Sequence, residues 1–135
     1  MLVREWMTAP AIAISPKMEA AAAVERMTEL KFRRLPVELE GKLVGIVTRG
    51  DLEAKLGWDR MVWRRLGRRV EDAMTPNPFT VAPEDRLEKA AELMLQHRIG
   101  GIPVVENGKL VGIVTESDVF RAFVQLAQIP AGAGH

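Results

Sequence analysis

One eight-residue run occurs twice in this chain. Gly41-Lys42-Leu43-Val44-Gly45-Ile46-Val47-Thr48 returns unchanged as Gly108-Lys109-Leu110-Val111-Gly112-Ile113-Val114-Thr115, at an offset of 67 residues. Without a gap, the same offset places Met7-Thr8 on Met74-Thr75, Pro16 on Pro83, Met27 on Met94, Pro36-Val37 on Pro103-Val104 and Asp51 on Asp118. Chance does not produce such a match, so the chain is a duplication. With 135 residues in all, each copy is only a half-domain and needs a neighbour to cover its apolar side.

Each copy reads as β-α-β-β-α. A short apolar strand comes first, Ile12-Ala13-Ile14 or Phe79-Thr80-Val81. Pro16 and Pro83 then suit the first turn of a helix, and Ser15 suits its N-cap. Ala20, Ala23, Val24, Met27 and Leu30 are spaced as one helical face, as are Leu87, Ala90, Ala91 and Met94. Two strands follow as a hairpin, turning at Glu40-Gly41 and at Asn107-Gly108, the latter a strong hairpin signal. A last helix opens near Thr48 and near Thr115. The fold class is α/β (α+β).

The expected organisation is repeat 1 over 1–57, a connecting helix over 58–72, repeat 2 over 73–128 and a flexible tail over 129–135. In the connector, Trp58, Val62 and Leu66 predict an apolar stripe, with Arg60, Arg64 and Arg68 opposite it. The helix from Ser117 carries Val119, Phe120, Phe123, Val124 and Ala127, more apolar surface than a lone half-domain covers.

Composition narrows the chemistry. There is no cysteine, and the two histidines are His97 and His135. Disulfide scaffolds, thiolate metal sites and thiol catalysis are therefore excluded, and no metal site is expected. His97 has no nucleophile at a telling spacing, so it reads as structural or surface, and no catalytic residue is assigned. The seven methionines read as packing. A net charge of +1 opposes wholesale polyanion binding. The arginines at 60, 64, 65, 68 and 69 fit a solvated face better than a nucleic-acid surface. The first residues lack a secretory pattern and no run is long enough to span a bilayer, so a cytoplasmic, non-membrane protein is expected.

Thr48-x-x-Asp51 and Thr115-x-x-Asp118 each begin a helix. A helix N-terminus suits phosphate, and a carboxylate three residues on can accept hydroxyl hydrogen bonds. The same spacing also describes a capping box, and spacing alone does not separate the two roles.

Taken together, the Met-Thr starts, Leu35-Pro36-Val37 with Gly45-Ile46-Val47-Thr48-Arg49-Gly50-Asp51, and Ile102-Pro103-Val104 with Gly112-Ile113-Val114-Thr115-Glu116-Ser117-Asp118 resemble a tandem cystathionine-β-synthase (CBS) domain pair, or Bateman module. The resemblance runs from about Val3 to Leu126. It implies two β-α-β-β-α repeats packed with pseudo-two-fold symmetry, with clefts that bind AMP, ADP, ATP or S-adenosylmethionine. The Asp would hold ribose and the Thr would lie near phosphate.

Carried over residue by residue, it implies one site of Thr48, Arg49, Asp51, Asn77, Pro78, Phe79 and Ile99. The other comprises Thr115, Asp118, Pro10, Ala11, Ile12, Phe32, Arg33 and Arg34. In relatives, basic residues in the Arg33-Arg34 position meet phosphate, which points to the second site for charged nucleotides. A solvated pair is the alternative for both arginines. Arg49 is either a phosphate contact or exposed.

The implied function is a stand-alone, non-enzymatic regulatory module with no cofactor. It would pair into a homodimer through the faces around Leu52 and Leu56 and around Val119, Phe120 and Phe123, and act on a regulated protein still to be identified. A structural or dimerisation module with non-functional clefts is the alternative, and nucleic-acid binding a lesser one.

Overall fold

The computed structural model describes residues 1–128; the expected tail, with His135, lies outside them. The chain divides into two compact bodies that do not follow the repeat boundaries. One holds Ala11–Pro78 with Asn107–Leu110; the other holds Met1–Pro10, Phe79–Glu106 and the residues from Val111 on.

The first body contains α2 (Ala20–Leu30), β1 (Arg34–Leu39), β2 (Lys42–Thr48), α3 (Arg49–Leu56), α4 (Arg60–Arg65), a 3₁₀ turn at Val70–Asp72 and β3 (Thr75–Pro76). Its sheet runs β1-β2-β3 and is antiparallel throughout. The turn residues Glu40 and Gly41 both have positive φ, 51° and 80°. That is the type I′ pattern, whose twist matches the flanking strands. Helix α2 lays Ala20, Ala23, Val24 and Met27 against Leu35, Val37, Val47 and Leu52.

The second body contains α1 (Val3–Trp6), α5 (Leu87–His97), β4 (Gly101–Glu106), β5 (Lys109–Thr115) from Val111 on, which pairs with β4 as a hairpin, and α6 (Glu116–Ala127). Its core joins Val3, Leu87, Met94, Ile102, Val104, Val114 and Ala122. Asn107 and Gly108 repeat the positive-φ turn at 52° and 77°.

The segment leading into each repeat packs on the other one. Thr75 pairs with Ile46 of β2, and Thr8 pairs with Ile113 of β5. Both duplicated glycines are explained by this approach. A Cβ on Gly45 would lie 2.7 Å from the Met74 Sδ and 2.9 Å from the Thr75 carbonyl oxygen. A Cβ on Gly112 would lie 2.8 Å from the Thr8 carbonyl oxygen and 2.9 Å from the Met7 Sδ. The Met-Thr and Gly-Ile-Val-Thr motifs therefore require each other.

Four local expectations are corrected. The opening strands shrink to single parallel bridges, Ile14 to Val37 and Val81 to Val104, because prolines at 16 and 83 turn the chain at once. Those prolines lie in turns ahead of the helices, and the Ser15 hydroxyl accepts the Lys17 N–H at 3.1 Å instead of capping α2. In the connector, Asp59 caps α4 through the Met61 N–H at 2.9 Å, so the helix starts too late to include Trp58. Trp63 is its buried residue, with the indole N–H on the Leu56 carbonyl at 2.9 Å, while Trp58 is 82% exposed. Leu52 is fully buried in the first core and offers no face to a partner.

Candidate functional site

The hairpin register builds the first cleft. Arg34 stands opposite Thr48 across β1 and β2, because antiparallel strands joined by a tight turn bring the start of one to the end of the other. One residue beyond, the Arg49 N–H donates to the Arg33 carbonyl at 3.2 Å. Phe32, Arg33, Arg34, Thr48, Arg49, Gly50 and Glu53 line one open cleft of about 540 Å³. Arg49 Nε is bridged to Glu53 at 3.3 Å. Thr48 caps α3: its hydroxyl accepts the Asp51 N–H at 2.9 Å, and Asp51 Oδ2 accepts the Thr48 N–H at 3.1 Å. Asp51 Oδ1 has no hydrogen-bond partner among the described residues. Beside β2, the Asn77 N–H donates to the Val44 carbonyl at 3.3 Å, at the positive φ of 48° that asparagine tolerates.

The second repeat copies the backbone and changes the chemistry. The Glu116 N–H donates to the Gly100 carbonyl at 3.0 Å, the counterpart of the Arg49 bond. Asp118 Oδ2 accepts both the Thr115 N–H at 2.7 Å and the Thr115 hydroxyl at 3.1 Å. Asp118 Oδ1 is paired with the Arg121 guanidinium. Beside this helix start lies a groove of about 520 Å³, formed mainly by Met94, Leu95, Ile99, Val119 and Phe120, with Arg98 and Glu116 at its edge. It is far more apolar than the first cleft.

Phe32, Arg33 and Arg34, expected with Thr115 and Asp118, line a cleft with Thr48 and Arg49 in the first body. Ile99, expected with Thr48, lines the groove with Glu116 and Val119 in the second. Ala11, Ile12, Asn77 and Pro78 lie in the first body, and Pro10, Phe79, Thr115 and Asp118 in the second. Phe79 stacks on His97, with ring centroids 3.9 Å apart and planes 18° from parallel.

Arg121 was missed by the sequence reading. Its signal was its place three residues after Asp118, one turn along the same helix face. No cluster of His, Asp or Glu among the described residues is arranged to hold a metal ion. No helix among them is long and apolar enough to cross a membrane.

The CBS-domain family signature matches residues 3–56 and 70–125. The chain belongs to the CBS-domain family. Arabidopsis thaliana CBSX2, solved in complex with AMP, is 34% identical, with a TM-score of 0.81 over 94% of this chain and 98% of that one. The CBS domain pair of protein MJ0100, solved with 5′-methylthioadenosine and S-adenosyl-L-methionine, is 29% identical, with a TM-score of 0.82 over 93% and 98%. Protein MJ1225 of Methanocaldococcus jannaschii is 35% identical over 131 residues, 90% of this chain and 47% of that protein. An inosine-5′-monophosphate dehydrogenase of Korarchaeum cryptofilum is 38% identical, and the match spans only 21% of it. This chain spans less than half of those two proteins.

Proposed function

We propose that this CBS pair is a non-enzymatic regulatory module that binds an adenosine-containing ligand, with the first cleft taking the phosphate-bearing forms AMP, ADP or ATP. The observation that carries the reading is the convergence of Arg33, Arg34 and Arg49 on the Thr48 helix start. Three guanidinium groups and the positive dipole end of a helix suit a phosphate chain. The unengaged Oδ1 of Asp51 is an acceptor for ribose hydroxyls. The ligands of CBSX2 and of the MJ0100 pair support the choice of adenosine. S-adenosylmethionine, a cation without phosphate, suits the corner at Thr115 and Asp118 better, where the second repeat has Gly100, Gly101 and Glu116 in place of the three arginines.

The same reading gives the module a homodimer face. Phe120, Phe123, Val124 and Leu126 of α6, with Leu95 of α5, are exposed apolar side chains, and a second copy would cover them. A cytoplasmic location and an unidentified regulated protein complete it. The reciprocal caps between Thr48 and Asp51 favour one second reading, a dimerisation module whose Thr-x-x-Asp pairs are purely structural. Calorimetric titration of the full chain with AMP, ADP, ATP, adenosine and S-adenosylmethionine separates the two. Binding of at least one ligand is expected. No heat and no thermal shift with any of them would establish the structural reading instead.

A further inference from the structure

Asp118 is the one fully buried charged side chain among the described residues, at 1% exposure. A carboxylate offers about four lone-pair positions. Three of them are filled within the chain, two on Oδ2 by Thr115 and one on Oδ1 by Arg121. A ribose diol needs two. The carboxylate of Asp51 is filled only on Oδ2, by the Thr48 N–H. The offset of 67 places Ala54 at the position equivalent to Arg121. The repeats thus share the ribose-binding motif and differ in whether an arginine already holds it.

We infer that Arg121 is an internal competitor for the ribose at Asp118, a latch that makes the second cleft the weaker adenosine site. The inference rests on the adenosine reading of both clefts. Ligand hydroxyls entering at Asp118 must displace a charge-assisted partner with neutral donors, and the exchange is unfavourable because charged hydrogen bonds are the stronger. The guanidinium has somewhere to go. Its side chain is 62% exposed and borders an open groove with Gln125 and Gln128. No such exchange is needed at Asp51.

The probe is adenosine, which has no phosphate to be attracted by an arginine. With Asp51→Ala silencing the first cleft, adding Arg121→Ala should tighten adenosine binding by about tenfold in calorimetry. Raising the salt concentration should tighten it in the Asp51→Ala chain with Arg121 intact, because the exposed cation is screened. The converse change, Ala54→Arg at an exposed helix position, should weaken the first cleft by a similar factor without unfolding the chain. If Arg121→Ala proves unstable, the salt series and Ala54→Arg still decide. Adenosine binding that is indifferent to Arg121→Ala, Ala54→Arg and salt overturns the latch alone. Absence of adenosine binding in every variant overturns the adenosine reading, and the latch with it.

Discussion

The backbone N–H of Arg49 donates to the carbonyl of Arg33 at 3.2 Å. That bond ties the end of one hairpin arm to the residue before the other, and it brings three arginines to the same helix start. The equivalent bond from Glu116 to Gly100 shows that the frame is duplicated while its side chains are not. Replacing arginines with glycines and an acid is what makes the two clefts chemically different.

Nucleotide binding at the first cleft should follow that arrangement. Arg33→Ala combined with Arg34→Ala should weaken ATP by at least about tenfold and adenosine much less, as expected for charge-assisted phosphate contacts. Equal losses for the two ligands would indicate altered packing. Asp51→Ala should weaken every ribose-bearing ligand at this cleft while costing about 1 kcal/mol of stability through its lost cap. Unfolding of that variant would mean that the cap is the residue's main role.

The duplicated glycines make a stability prediction. Gly45→Ala and Gly112→Ala each force a Cβ against a paired backbone carbonyl, at 2.9 Å and 2.8 Å. Each should cost roughly 1–3 kcal/mol in urea denaturation. Gly50→Ala, whose Cβ would meet only the Thr48 hydroxyl at 3.7 Å, should instead stabilise helix α3 by up to about 1 kcal/mol. Similar effects at all three glycines would refute the close-approach explanation.

One turn can be improved. Glu40 holds φ at 51°, whereas the second hairpin has Asn107 at the same position. Glu40→Asn should raise stability by about 0.5–1 kcal/mol, since asparagine tolerates the left-handed region better. No change in the unfolding midpoint would show that the turn relaxes at no cost.

Stability should also fall in acid through Asp85. Its carboxylate accepts the Ala82 N–H at 2.8 Å and the Lys89 ammonium at 3.1 Å. The Ala82 bond chiefly holds its pKa below the ordinary aspartate value; partial burial opposes the shift, and Lys89 assists it. A depressed folded pKa contributes stability above the unfolded pKa, and the contribution is lost as pH falls through the folded value. The stability difference between wild type and Asp85→Asn should be constant above about pH 5 and shrink below about pH 4. A difference unchanged at pH 3 would count against it.

Much of this was readable in advance. The 67-residue duplication, both hairpins, the apolar faces of α2 and α5, and the helix starts at Thr48 and Thr115 all follow from local pattern, and the structure has them. The company Arg33 and Arg34 keep was only half implicit: the two-residue turn at Glu40-Gly41 alone would set Arg34 opposite Val47, and a bulge between Val37 and Glu38 moves it opposite Thr48. Trp63 was harder. Its burial depends on where Asp59 starts a six-residue helix, and stripe counting from Trp58 misplaced the phase.

The sequence by itself determined the repeated unit, its order of elements and the two Thr-x-x-Asp corners. These depend on interactions between residues close along the chain: hydrogen bonds within a turn, side chains one helical turn apart, alternation along a strand. Only the tertiary structure decided that the Met-Thr segments pack on the opposite repeat's glycines, and that Arg121 fills the carboxylate of one corner while its twin stays open. The first depends on distances between residues far apart in sequence. The second depends on the burial of Asp118: its spacing to Arg121 was legible along the chain, but that the carboxylate is shut off from water was not, and Ala54 stands at Arg121's place in the other copy.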